Sequence, residues 1–163
     1  MGASTPERVL LSGHCLIVLE RTVLATRPQE GCALVLGSRR GPALLVQAIW
    51  PCCNRWEPAA ERDRHFQLDP REQLLAQRWV RERGLQVLGA AHSHPSSAAI
   101  PSRSDRELCL GPTLMLIRSG LAAEAEPLRA WWLPEPPGPE GAAAPEPLPL
   151  PLPLEPLAGD LGE

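Results

Sequence analysis

Apolar positions along the chain fall into short blocks separated by turn formers. Residues 8–11 make a first block of strand length. Ser12 follows as a candidate N-cap, and Leu16, Leu19, Val23 and Thr26 then recur at three- and four-residue steps. That spacing predicts a helix to about Arg27, stopped by Pro28. Cys32–Leu36 and Leu44–Trp50 are apolar runs on either side of the turn-rich Ser38-Arg39-Arg40-Gly41-Pro42, a predicted hairpin of buried strands. Residues 51–64 are polar and irregular. Asp69-Pro70 opens a second helix carrying Leu74, Leu75, Arg78 and Trp79, with Gly84 just past its end. Leu85–Ala91, Thr113–Ile117 and Leu128–Leu133 are three more runs of strand length. Helices alternating with buried strands predict an α/β domain, a mixed central sheet flanked by helices.

Beyond Leu133 the composition changes. Ten of the 20 prolines lie in residues 134–163, which also carry six acids and no base, a charge of −6. Residues 1–133 hold sixteen arginines against thirteen acids, a charge of +3. The expected division is therefore a folded domain over 1–133 and a Pro-rich, acidic, disordered tail over 134–163. Alternating Pro-Leu is read as incompatible with a helix or a central strand. On that reading, removing 134–163 leaves stability nearly unchanged.

The mild positive charge of the body forms no cluster of the kind that binds nucleic acid. No run of about 18 apolar residues is present, so no membrane span is expected. The first residues lack a basic n-region, and Pro6 replaces the Ser or Thr of a myristoylation signal. Five cysteines without framework spacing read as reduced thiols, which points to the cytoplasm.

The chemically informative segment is Ala91-His92-Ser93-His94-Pro95, followed by Ser102 and Asp105. Two histidines spaced by two at a strand end put both imidazoles on one face. A helix starting at Ser102 beside that strand end can aim Asp105 back at them. Two imidazoles and one carboxylate make a zinc set with a fourth position left open. Each part also has a plainer reading: strand-end histidines are common, and Ser102-Arg103-Ser104-Asp105 is a capping box in which Asp105 serves only the helix start.

Taken together, this segment resembles the JAMM motif of the MPN+ zinc metalloproteases, which reads Glu, a variable gap, His-Ser/Thr-His-Pro, six residues, Ser, two residues, Asp. Upstream, Pro28-Gln29-Glu30-Gly31-Cys32-Ala33-Leu34-Val35-Leu36-Gly37 is similar to the family's Pro-x-Glu-x-Cys-Gly-Leu-Leu-x-Gly segment, with Ala33 in place of a glycine. Phe66-Gln67-Leu68-Asp69-Pro70 resembles the family as well, so the likeness covers residues 8–133.

The resemblance implies an MPN (JAMM) domain holding one zinc ion per chain through His92, His94 and Asp105. It implies that Glu30 is the catalytic base and later the acid, and that Ser102 supports the transition state. Glu30 lies 62 residues before His92, and only the fold can bring them together. The implied activity is that of a zinc-dependent peptidase or isopeptidase. The alternative is a non-catalytic MPN scaffold that binds partner proteins, but inactive relatives usually lack metal ligands, and all five motif positions are filled here. Only 28 residues separate Asp105 from the tail, too few for the second insertion of the ubiquitin-chain enzymes. The chain thus resembles the short bacterial type, which implies a ubiquitin-like sulfur-carrier protein as substrate, cut after its C-terminal Gly-Gly.

Overall fold

The computed structural model describes residues 4–109, 111–135, 139 and 147–157. β1 (Arg8–Leu11) leads into α1 (Gly13–Leu24), capped by Ser12, whose hydroxyl accepts the Cys15 N–H. The helix stops one turn short of the expected end, and residues 25–28 form a turn that includes Pro28. β2 (Cys32–Arg40) and β3 (Ala43–Cys52) are longer than their apolar runs. Only Gly41 and Pro42 separate them, so Ser38, Arg39 and Arg40, expected in a turn, belong to the ladder. Gly41 has φ +57°, a left-handed conformation that glycine adopts without cost.

After a single 3₁₀ turn at Ala59–Glu61 comes α2 (Pro70–Glu82), with Pro70 in its first turn and Asp69 as N-cap. Then follow β4 (Gln86–His94), the short α3 (Arg103–Glu107), β5 (Thr113–Ser119) and β6 (Leu128–Leu133). The sheet is mixed, as expected: β4 pairs antiparallel with β2 and parallel with β5.

Alternation along the strands builds two apolar layers. Val35 of β2 and Leu114 and Leu116 of β5 face α1, which presents Cys15, Leu19 and Val23 at four-residue steps. Leu34 and Leu36 face the other way, against Ala76 and Val80 of α2. Gly31, at the junction between these layers, lies so close to the end of α1 that a Cβ there would sit 2.3 Å from the Val23 carbonyl oxygen. Gly31→Ala should therefore push β2 off α1 and cost about 1–3 kcal/mol, measurable as a lowered denaturation midpoint with an unchanged slope.

The segment 134–163 departs from expectation. Positions 136–138, 140–146 and 158–163 lie outside the described residues, but β7 (Leu150–Leu152) and β8 (Leu154–Pro156) are paired strands. β7 adds antiparallel to β6 and β8 adds parallel to β1, giving the order β7-β6-β5-β4-β2-β3-β1-β8. Since only Pro153 separates them, one extended stretch joins both edges of the sheet. The disorder expected for 134–163 is thus overturned over 150–156.

The reason lies in the period of the Pro-Leu repeat. Successive N–H groups of a strand point to opposite edges, so strict alternation confines every missing donor to one edge and leaves the other complete. Leu150 and Leu152 stand opposite Trp132 and Ala130 in the register. On the β1 side the Pro153 carbonyl accepts the Val9 N–H at 2.9 Å, and Leu157 donates to the Leu11 carbonyl at 3.1 Å. Leu152 is buried in the layer under α1, and Leu154 packs against it.

Candidate metal centre

The last residues of β4 set the histidines. Cys32 stands opposite His92 in the β2–β4 ladder, so the residues just before β2 necessarily lie beside the end of β4. Ser93, pointing to the other face, binds this junction: its Oγ accepts the Gly31 N–H at 2.9 Å, and its own N–H reaches the Gly31 carbonyl. Glu30 is thereby brought against His94, with Oε1 at 4.0 Å from Nε2.

α3 delivers the third group. Ser102 caps it, its Oγ accepting the Asp105 N–H at 3.0 Å while the Asp105 carboxylate accepts the Ser102 N–H at 2.9 Å. The capping box and the ligand reading are both present, because the same Oδ2 also faces the histidines. It lies 3.1 Å from Nε2 of His92 and 3.1 Å from Nε2 of His94, and the two nitrogens are 3.0 Å apart.

The donor chemistry of this triangle favours a cation. Nδ1 of His94 is 2.8 Å from the Ala98 carbonyl, an acceptor only, so Nδ1 carries the hydrogen and Nε2 of the neutral ring turns a lone pair inward. With neutral rings, three close contacts among His92, His94 and Asp105 have at most one hydrogen to share. All three side chains are buried, and together they can hold a metal ion. The structure brings together His92, His94, Asp105, Glu30 and Ser102 at one end of β4.

Electrostatics fit the same picture. Burial drives the Glu30 carboxyl up to about 8, and Oε2 has no hydrogen-bond partner. Burial likewise pushes His92 below the ordinary imidazole value. For His94 burial works downward, but the hydrogen bond to Asp105 and that to Ala98 win and raise it. For Asp105 burial works upward, but the contacts with His92 and His94 hold the carboxyl well below the usual range. A cation in the triangle would neutralise charge that burial otherwise disfavours.

Neighbouring residues shape the surroundings. Phe66 stacks on His92 with ring centroids 4.3 Å apart. A cleft of about 560 Å³ is lined by Asp105 together with Phe66, Leu68, Leu108, Gly89 and Ala90. The thiols stay apart from this chemistry: all five are free, and burial pushes Cys32 up to about 12 and Cys52 up to about 11. His65, a polar residue without ligand spacing, stacks on Trp56, and its Nδ1 lies 3.1 Å from the Ser104 hydroxyl, tying the 53–67 loop to α3. Asn54, which had no signal in the sequence, proves to be the centre of that loop.

An α/β domain with a buried trio able to hold a metal ion at one strand end, and a buried glutamate beside it, is the arrangement that the JAMM resemblance leads one to expect. The sequence profile of the prokaryotic homologs of the JAB domain matches residues 15–134, so the chain belongs to that family, the short prokaryotic form of the JAMM/MPN domain. The desampylase of Haloferax volcanii is 34% identical over 85 residues, covering 52% of this chain and 58% of that protein. The chain thus spans little more than half the length of that relative. Two solved structures share the fold. A Desulfitobacterium hafniense protein superposes with TM-score 0.72 at 25% identity, over 91% of this chain and 92% of that one. A Salinibacter ruber protein does so with TM-score 0.60 at 26% identity, over 96% and 95%.

Proposed function

We propose that this protein is a zinc-dependent hydrolase that cleaves a peptide or isopeptide bond after the C-terminal Gly-Gly of a ubiquitin-like sulfur-carrier protein. The observation that carries the reading is Glu30. It is a carboxylate 3% exposed, without a partner on Oε2, beside a trio of metal-ligating atoms. A purely structural acid would not be left in that state. The likeness to a desampylase supports the hydrolytic and ubiquitin-like parts of the reading, and all five motif positions are filled in the sequence.

His92, His94 and Asp105 would hold the ion through Nε2, Nε2 and Oδ2. Zinc bound there supplies Lewis acidity, making water a stronger acid near neutral pH and polarising a carbonyl. Glu30 takes up the proton released when water adds to the scissile carbonyl, and returns it to the departing amine. Its burial favours the protonated carboxyl, which suits the second half of that role. Ser102 Oγ already accepts the Asp105 N–H, so its hydroxyl hydrogen is left to donate to the carbonyl oxygen as negative charge develops. The apolar cleft leading to Asp105 suits an extended chain, and two glycines let its end approach without side-chain clashes. All five cysteines are free thiols, and on that usage we assign a cytoplasmic location.

The test is incubation of the zinc-loaded protein with a sulfur-carrier protein extended beyond its Gly-Gly, read by intact mass. Loss of the extension, abolished by a chelator, is the expected result. An unchanged mass at full zinc occupancy removes this substrate. Asp105→Asn separates ligand from cap: it retains an acceptor for the Ser102 N–H, yet zinc affinity should fall by more than about 100-fold. Changes in groups behind a ligand already cost 10–100-fold. Zinc content after dialysis, with melting temperature in parallel, checks this.

A further inference from the structure

We propose that Asn54 is a positioning residue for the reaction, holding the backbone of Glu30 so that its carboxylate meets the metal ligands; this rests on the role given to Glu30 above. The side chain uses its whole hydrogen-bonding capacity. Nδ2 donates to the Glu30 carbonyl at 3.1 Å and to the His65 carbonyl at 2.9 Å. Oδ1 accepts the Trp56 N–H at 3.0 Å and the Gln67 N–H at 3.1 Å. The amide can sit only one way round, because the flipped form would set an NH₂ against two N–H groups and an oxygen against two carbonyls.

One side chain therefore gathers both ends of the 53–67 loop onto Glu30. The loop returns to the same residue on its other side: the Glu30 N–H donates to the Arg62 carbonyl at 2.7 Å, and Arg62 Nε donates to the Trp56 carbonyl at 2.8 Å. Glu30 is thus gripped at its N–H and at its C=O by one segment, while Ser93 Oγ accepts the Gly31 N–H of the same peptide as that C=O. Its carboxylate has no such grip. Oε2 is without a partner, and Oε1 comes no nearer than 4.0 Å to His94 Nε2. Where the carboxylate sits is decided through its backbone, and Asn54 supplies the side-chain bond to the Glu30 carbonyl. The same amide acts on α3, since the His65 whose carbonyl it holds reaches Ser104, next to Asp105.

The test uses Asn54→Asp in the full chain, loaded with zinc. The substitution keeps shape and one acceptor oxygen but turns the other oxygen on two carbonyls. Zinc content should stay at one per chain and KM within about threefold, while kcat falls by about 100-fold, the scale of a misplacement near 1 Å. In a Glu30→Gln background the same change should cost less than about threefold, because two residues acting through one step are not additive. Independently of activity, hydrogen exchange at the Glu30 amide should quicken at least about tenfold, with the His92 and His94 amides unchanged. If Asn54→Asp does not fold, Asn54→Ala removes the bonds without the repulsion and is read in the same way. An unchanged kcat, a rise confined to KM, or an equal loss in both backgrounds overturns the inference. A zinc-loaded wild type that leaves the extended sulfur-carrier protein intact removes that substrate instead, and the exchange rate at the Glu30 amide then decides the inference: an unchanged rate in the Asn54 variants overturns it.

Discussion

Glu30→Gln is expected to bind zinc as the wild type does and to lose about a thousandfold or more of its turnover, the upper part of the range for a positioned acid–base group. That factor corresponds to about 4 kcal/mol of transition-state stabilisation. Zinc retention follows from geometry: Glu30 stands 4.0 Å from the nearest ligand nitrogen, and the three ligand atoms are complete without it. Turnover loss follows from chemistry, since an amide of the same shape cannot take up a proton from water. The fold should not suffer. Glu30 Oε2 has no partner to lose, and an amide is as neutral as the protonated carboxyl that burial favours. Metal analysis, kcat on an extended sulfur-carrier protein and a melting curve give the three readouts. A variant that cleaves at the wild-type rate would show that the proton carrier is another group. A variant that loses its zinc would place Glu30 among the ligands.

How much of this was legible in the sequence depended on the range of each interaction. The trio was legible because its determinants are local. Period-two geometry turns His92 and His94 to one side, and Ser102 and Asp105 cap one short helix. Glu30 was legible only through resemblance, because its approach depends on the antiparallel ladder that sets Cys32 opposite His92. No spacing in the chain encodes that pairing. Asn54 was illegible altogether: a single amide in a polar loop looks like any solvated residue until four backbone groups converge on it. The hairpin turn was placed too broadly because Ser38, Arg39 and Arg40 look like turn residues by composition, yet they continue the ladder at its partly exposed end.

The largest misreading concerned the Pro-Leu repeat, and it carries the second prediction. Removing residues 147–163 should lower the melting temperature by about 10 °C or more, opposite to what composition suggested. The deletion unpairs one edge of β1 and one edge of β6 and opens the layer under α1 where Leu152 sits 7% exposed. Truncating a buried leucine alone costs about 2–5 kcal/mol. Against a total stability of about 5–15 kcal/mol, that is a large share. Leu152→Ala isolates the packing part and should cost about 3 kcal/mol, or roughly 6–12 °C for a chain of this size. Leu148→Ala is the control, because Leu148 is 75% exposed and an exposed truncation stays within about 0.5 kcal/mol. Zinc-free protein is the proper sample, since bound metal would mask part of the loss by mass action. If the deletion and Leu152→Ala both melt with the wild type, the strand that joins β6 to β1 contributes nothing in solution. If Leu152→Ala falls while Leu148→Ala does not, the alternation of the repeat is a sheet-building pattern, with Pro153 turned to the β1 edge, where its carbonyl accepts the Val9 N–H.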